Sequence, residues 1–206
     1  RDLKISWEAG QRSDRLEMTL LEGYRPYFEE LQRGTVPSSD NFQCLTAISE
    51  GVGGRRFINH LAQAETLRLG LNGFGERLLV TTNQPSIGVF NGDTGVVIDP
   101  CHPPNPSVRF ENIDKPLLKN QLGAVESAWA ISIHRSQGSE YNSVLICLPE
   151  PATSRSRFRP SRELLYTALT RAKETVQLFA TESIIDQAVS NTTQRLTCLD
   201  LFLNAP

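Results

Sequence analysis

Trp129-Ala130-Ile131-Ser132-Ile133-His134-Arg135-Ser136-Gln137-Gly138-Ser139-Glu140-Tyr141-Asn142-Ser143-Val144-Leu145-Ile146-Cys147-Leu148 is the stretch that decides the fold. Two apolar runs, 129–133 and 144–148, flank a polar loop rich in hydrogen-bond donors. Short runs of this kind suit strands buried on both faces, as in a parallel sheet. Ligands of open α/β sheets gather at the carboxyl ends of strands, and the loop from His134 to Glu140 follows such an end. Gly138 lets backbone approach a phosphate closely, while His134, Ser136 and Gln137 offer hydrogen bonds of differing reach.

Downstream, Arg162-Glu163-Leu164-Leu165-Tyr166-Thr167-Ala168-Leu169-Thr170-Arg171-Ala172-Lys173 reads as a helix from near Arg162 to Ala172. Leu164, Leu165, Ala168 and Ala172 can share its core side. Arg171 then sits near the helix end. There it either closes the helix through the macrodipole or neutralises charge developing on a transferred phosphoryl group. A strand over 175–180 follows, and Ser183 is expected to cap a last helix carrying Ile184, Ile185, Ala188 and Val189.

Upstream, Leu16, Leu20, Leu21, Tyr24, Tyr27, Phe28 and Leu31 form an apolar helical stripe over 13–32, in which Pro26 argues for a kink or for two helices. A buried strand over 42–48 and a helix carrying Phe57, Ile58, Leu61 and Ala62 come next. The texture changes near Glu76. Strand-like segments at 78–82, 89–90, 95–98 and 108–110 have no helix between them, and Asn91-Gly92 supplies the positive φ angles of a tight hairpin turn. The expected architecture is a mostly parallel sheet with helices on both faces, interrupted by a small inserted β barrel.

With 206 residues and 39% hydrophobic content, the chain can bury one core, or one core plus a small satellite. Its net charge of −2 gives no global basic field, which argues against tight autonomous DNA binding but leaves room for a local basic strip. Cys44, Cys101, Cys147 and Cys198 contain no C-x-x-C pair, so buried free thiols in a reducing cytoplasm are expected rather than a metal cage. Cys101-His102 has metal-ligand residue types but no second pair. No signal peptide and no run of about 18 apolar residues is found, so no membrane partner is expected and Asn191-Thr192-Thr193 reads as a chance glycosylation pattern. His134 has two other readings, a core histidine or a Ser-His pair with Ser132 or Ser136; no G-x-S-x-G elbow accompanies the second. Arg155, Arg157, Arg159 and Arg162 form either a solvated loop or a contact for DNA phosphates or a partner.

Four blocks together resemble the RecD family of superfamily 1B DNA helicases. IHRSQGSEY (133–141) is similar to its motif V and RELLYTALTRAK (162–173) to its motif VI. FNGDTG (90–95) resembles the hairpin of the family's inserted SH3-like barrel, and FQCLTAISEGVGGRRFIN (42–59) its motif IV region. The resemblance implies a second RecA-like motor domain of the exonuclease V alpha-subunit type. Its parts would be 1–75, an inserted barrel at 76–126, and 127–206. It further implies an ATP-driven 5′-to-3′ helicase in double-strand break repair and recombination, acting in the cytoplasm. The partners would be single-stranded and duplex DNA, the N-terminal motor domain, and other exonuclease V subunits.

Carried over by motif, Arg171 would contact the γ-phosphate, and Gln137, Gly138 and Glu140 would line the nucleotide side, with Glu140 a candidate for the ribose. His134 and Ser136 would lie nearer the DNA backbone, and Asn91 would touch DNA or serve turn geometry alone. Relatives place a basic residue before the Glu-Gly of motif IV, where this chain has Ser49; Arg55 or Arg56 are the candidate substitutes. The string G-x-x-x-x-G-K-[ST] does not occur, and the chain starts at Arg1. The expectation is therefore a fragment that, alone, holds neither ATP nor Mg2+ and hydrolyses nothing. A conjugative relaxase-helicase and a degenerate motor domain serving as a scaffold are the rival readings.

Overall fold

The computed structural model describes residues 4–9, 13–99, 105–150 and 158–192. Pro100, Cys101, His102, Pro103, Pro104, Arg155, Arg157, Thr193 and Cys198 lie outside the described residues. In chain order the elements are β1 (Lys4–Ala9), α1 (Ser13–Gln32), β2 (Phe42–Thr46), α2 (Arg55–Arg68), β3 (Arg77–Val80), β4 (Thr94–Asp99), β5 (Ser107–Phe110), β6 (Leu117–Leu118), β7 (Val125–Ser127), β8 (Ala130–Ser132), β9 (Tyr141–Leu148), α3 (Arg162–Leu169), β10 (Ala172–Ala180) and α4 (Glu182–Ser190).

Five strands form a wholly parallel sheet in the order β1-β10-β9-β2-β8. The apolar run of β9 divides between the faces as strand geometry requires. Leu145 and Cys147 pack with α1 and α2, beside Phe42, Cys44 and Trp129. Val144, Ile146 and Leu148 pack on the other side with Ala168 of α3 and Ile184 of α4. Covering both faces excludes water from every position of β9 after Ser143, which is why its sequence does not alternate.

α1 runs as one helix through Pro26, so the reading of two helices does not hold. The proline removes one donor, but Tyr24, Tyr27 and Phe28 beside it are buried in an aromatic cluster with Trp129 and Phe42, edge-on for the two tyrosines against Trp129 and tilted for Phe28. That packing holds both sides of the proline. Cys44 and Cys147 are buried thiols on adjacent strands, their Sγ atoms 3.8 Å apart. Burial pushes the Cys44 thiol well above its usual range, keeping it protonated and unreactive.

The segment between α2 and β8 forms a second, antiparallel sheet in the order β6-β5-β4-β3-β7. It has its own small core of Leu78, Val80, Val89, Val97, Val108, Phe110 and Leu122. Among the described residues no ladder joins β6 to β7, the two edge strands of this sheet. Asn91-Gly92 lies at the end of the long connection between the paired strands β3 and β4 and does not form a two-residue hairpin loop on its own. Only Gly92 takes a positive φ, +103°, and its N–H donates to the Val80 carbonyl at 3.0 Å, closing the end of β3. Val89 forms an isolated bridge with Gln84 rather than a strand.

Arg77, the first residue of β3, joins the two sheets. It is 1% exposed, and its guanidinium donates to the carbonyls of Phe42 (3.0 Å) and Ser39 (3.0 Å), to Gln43 Oε1 (2.8 Å) and to the Tyr24 hydroxyl (3.3 Å). It also lies 5.6 Å from the ring centres of both Tyr24 and Tyr27. Oxygen dipoles and π faces thus replace the water that a buried cation loses.

Candidate functional site

The strand β8 ends at Ser132, and one 3-10 turn, 133–136, leads into the loop before β9. Ser132 caps this turn by accepting from the Arg135 N–H at 3.4 Å, and Ser136 donates to the Ile133 carbonyl at 2.7 Å. Ser136 is fully buried, so its hydroxyl shapes the turn and does not face solvent. His134 is exposed, which removes the reading of a core histidine. Gln137, Gly138 and Glu140 are exposed as well. Gly138 has φ +92°, and a Cβ there would meet nothing within 4 Å. The loop therefore needs glycine for backbone conformation, not for closeness to another part of this chain.

α3 ends at Leu169 rather than Ala172, with Thr170 closing it and β10 beginning at Ala172. Arg171 consequently sits in the joint between helix and strand. Its Nε donates to the Thr167 carbonyl (3.1 Å), its Nη1 to the Ser139 carbonyl (3.1 Å) and its Nη2 to Thr170 Oγ1 (3.2 Å). The Tyr141 N–H donates to the Arg171 carbonyl at 2.8 Å. The two stretches singled out in the sequence thus meet at Arg171. Of the five guanidinium N–H groups, three are engaged in these bonds among the described residues.

Gly138 and Glu140 also line an open polar cleft of about 370 Å³, facing Gly92, Asp93 and Glu111 of the antiparallel sheet. Asp93 is held there by accepting from the Phe90 N–H at 2.8 Å. Asn91 sits at the tip of that turn, its N–H donating to Asn83 Oδ1 at 2.8 Å, and is not part of the cleft lining. Tyr141 borders the cleft as well, and burial pushes its phenol above the usual value, so it stays neutral. A second cavity, about 250 Å³, lies beside Pro26, Phe42 and Ser143 and touches none of these residues.

Neither arginine considered as a substitute near Ser49 is unengaged. Arg55 pairs with Glu126 of β7, and exposed Arg56 pairs with Glu50 at 3.0 Å. Arg135 reaches the same Glu126 oxygen at 2.7 Å. Sequence reading missed this cluster, because the three residues lie on separate elements with no spacing rule to link them. Arg162 is likewise taken: its Nε (3.0 Å) and Nη2 (2.8 Å) donate to the Val189 carbonyl at the end of α4. Thr181 rather than Ser183 caps that helix, accepting from the Ile184 N–H. Among the described residues, no group of three or more His, Cys, Asp or Glu is placed to hold a metal ion.

Residues 127–179 match the family described as UvrD-like helicase C-terminal domain. RecBCD enzyme subunit RecD of Mycobacterium tuberculosis is 37% identical over 133 residues, 64% of this chain and 22% of that protein. RecD of Haemophilus influenzae is 34% identical over 131 residues, 63% of this chain and 18% of that protein. ATP-dependent RecD2 DNA helicase of Deinococcus radiodurans is 33% identical over 100 residues, 48% of this chain and 13% of that protein. The aligned stretches thus span a quarter or less of the length of these curated relatives. A solved structure of Bacteroides Pif1 helicase in complex with ADP-AlF3 and single-stranded DNA aligns with a TM-score of 0.46 at 17% identity, covering 89% of this chain and 53% of that one.

Proposed function

We propose that the chain is the C-terminal motor domain of a RecD-family superfamily 1 helicase, and that it supplies one wall of an ATP and DNA site within a longer, ATP-driven 5′-to-3′ DNA helicase of the exonuclease V alpha-subunit type. The observation that carries this reading is the hydrogen bond from Arg171 to the Ser139 carbonyl, which joins the helix joint to the loop after β8. A movement of either is felt by the other.

In this reading the parallel sheet is the second RecA-like motor domain, and the antiparallel unit over 76–126 is the inserted SH3-like barrel. The facing N-terminal motor domain holds the phosphate cradle and Mg2+. The donor set here suits the anionic end of a nucleotide: a half-buried guanidinium beside a glycine-containing loop. Bound between the domains, ATP supplies the phosphoryl group whose transfer to water drives the cycle. Arg171 neutralises charge on the γ-phosphate side. Gln137, Gly138 and Glu140 line the nucleotide edge. His134 faces the DNA backbone, Ser136 fixes the turn that presents it, and Asn91 reaches DNA from the antiparallel unit. Other exonuclease V subunits are the partners, and double-strand break processing in the cytoplasm is the setting.

The test uses the full-length protein, ATP, Mg2+ and duplexes carrying a single-stranded overhang on one strand. Unwinding from a 5′ overhang and not from a 3′ overhang is expected. Failure on both, or a preference for the 3′ overhang, contradicts the proposal.

A further inference from the structure

Arg55, Glu126 and Arg135 belong to three different parts of the fold. Arg55 opens α2 after the loop that follows β2, Glu126 lies on β7 of the antiparallel sheet, and Arg135 lies in the turn after β8. Because β2 and β8 are adjacent, with Thr46 opposite Ser132, the two arginines leave neighbouring strand ends at the side where the loop from His134 to Glu140 is built. Both use Nη1 to donate to one oxygen, Glu126 Oε2, Arg135 at 2.7 Å. Two cations therefore share one anion, and the cluster retains a net charge of +1 (2 − 1).

The backbone of the turn does not depend on this cluster. Ser132 and Ser136 fix it through bonds of their own, at 3.4 and 2.7 Å. What Glu126 fixes is the direction of the Arg135 side chain. Arg135 is drawn towards β7 and α2, while His134 and Gln137 on either side are left exposed. Burial disfavours the charged carboxylate, yet Arg135 and Arg55 outweigh it and hold Glu126 below the usual carboxylate range, so it is charged at neutral pH.

We propose that Glu126 is a positioning residue for the loop after β8: it holds Arg135 back from the nucleic-acid phosphates that the loop meets, and yokes the antiparallel unit and α2 to that loop. The proposal rests on the DNA-facing role assigned above. With Glu126 charged, the number of cations offered to the backbone stays low enough for DNA to step and release. Without that charge, Arg135 swings free, adds a phosphate contact, and no longer carries loop movement to β7.

Two measurements on full-length Glu126→Gln test this. The first is labelling of arginines with phenylglyoxal, read by peptide mass spectrometry; it needs no DNA. Arg135 is expected to react several-fold faster than in the unaltered protein, and an unchanged rate overturns the proposal whatever the protein does. The second is the salt dependence of single-stranded DNA binding alongside DNA-stimulated ATP turnover. The log–log slope should steepen by about 0.7, the increment for one added phosphate contact on a single strand. The kcat should fall several-fold while the KM for ATP stays put. In Glu126→Gln with Arg135→Gln the slope should return to its starting value; a slope that stays steep overturns the proposal. Faster labelling in a protein that binds no single-stranded DNA would support the restraint on Arg135 and contradict the helicase reading, so the two failures are distinguishable.

Discussion

Arg171 donates through Nη1 to the carbonyl oxygen of Ser139 across 3.1 Å, and through Nη2 to Thr170 Oγ1 across 3.2 Å. The first bond ties the joint between α3 and β10 to the loop before β9; the second holds the guanidinium from its own side. Thr170 Oγ1 is itself aimed by donating to the Thr167 carbonyl at 3.0 Å. Thr170→Val keeps the shape and removes the acceptor. The expected outcome is a several-fold loss of kcat for ATP turnover in the full-length protein with KM nearly unchanged, and recovery in Thr170→Ser. Steady-state kinetics of the two variants check it.

Gly138 adopts φ +92°, which side chains other than glycine rarely tolerate, although space around it is open. Gly138→Ala should therefore cost about 1–2 kcal/mol of backbone strain and no steric clash. Urea unfolding of the variant measures the cost. Loss of stability within a few tenths of a kcal/mol would mean that the loop relaxes freely.

Tyr24 is wholly buried, and its hydroxyl both donates to the Trp129 carbonyl and accepts from Arg77 Nη1. Tyr24→Phe takes the acceptor from one buried Arg77 N–H, while the Trp129 carbonyl keeps only the Gln43 amide as donor. The expected loss is about 1–3 kcal/mol, seen as a lower urea midpoint with an unchanged slope. Burial has also pushed the Tyr27 phenol up to about 12, so neither tyrosine is expected to titrate below pH 10.

The depressed Glu126 carboxyl has a consequence for acid stability. A group whose folded value lies below its unfolded one stabilises fully above the unfolded value, near 4.5, and loses that contribution as pH falls through the folded value. The stability difference between the unaltered protein and Glu126→Gln should thus be flat above pH 5 and shrink below about pH 4.5. A difference independent of pH down to 3 would show that the carboxylate is not paired in solution.

Much of the parallel sheet was legible because burial on both faces leaves an unbroken apolar run, and 144–148 shows it plainly. β1 was not legible. It is an edge strand with Lys4, Ile5 and Ser6 exposed, and its place comes from pairing with β10 rather than from any local pattern. The apolar spacing of 162–172 extends past the end of α3 at Leu169 by three residues. Ala172 suits a helix core and a strand equally, and only its pairing with Tyr141 decides between them. Asn91-Gly92 precedes β4 as its turn chemistry suggests, but Val89 before it forms only an isolated bridge, since local turn chemistry does not reveal which strand the turn will close. The loop after β8 and Arg171 could be picked out from residue type and order. Glu126 could not, because its meaning lies in two arginines, 71 and 9 residues away, that converge only in the folded chain.

Arg171→Ala in the full-length protein tests most directly whether Arg171 completes an ATP site shared with another domain. DNA-stimulated ATP turnover is expected to fall by about 10³-fold or more, the usual cost of losing such an arginine, while nucleotide and single-stranded DNA still bind. Near-normal turnover in that variant would contradict the assignment.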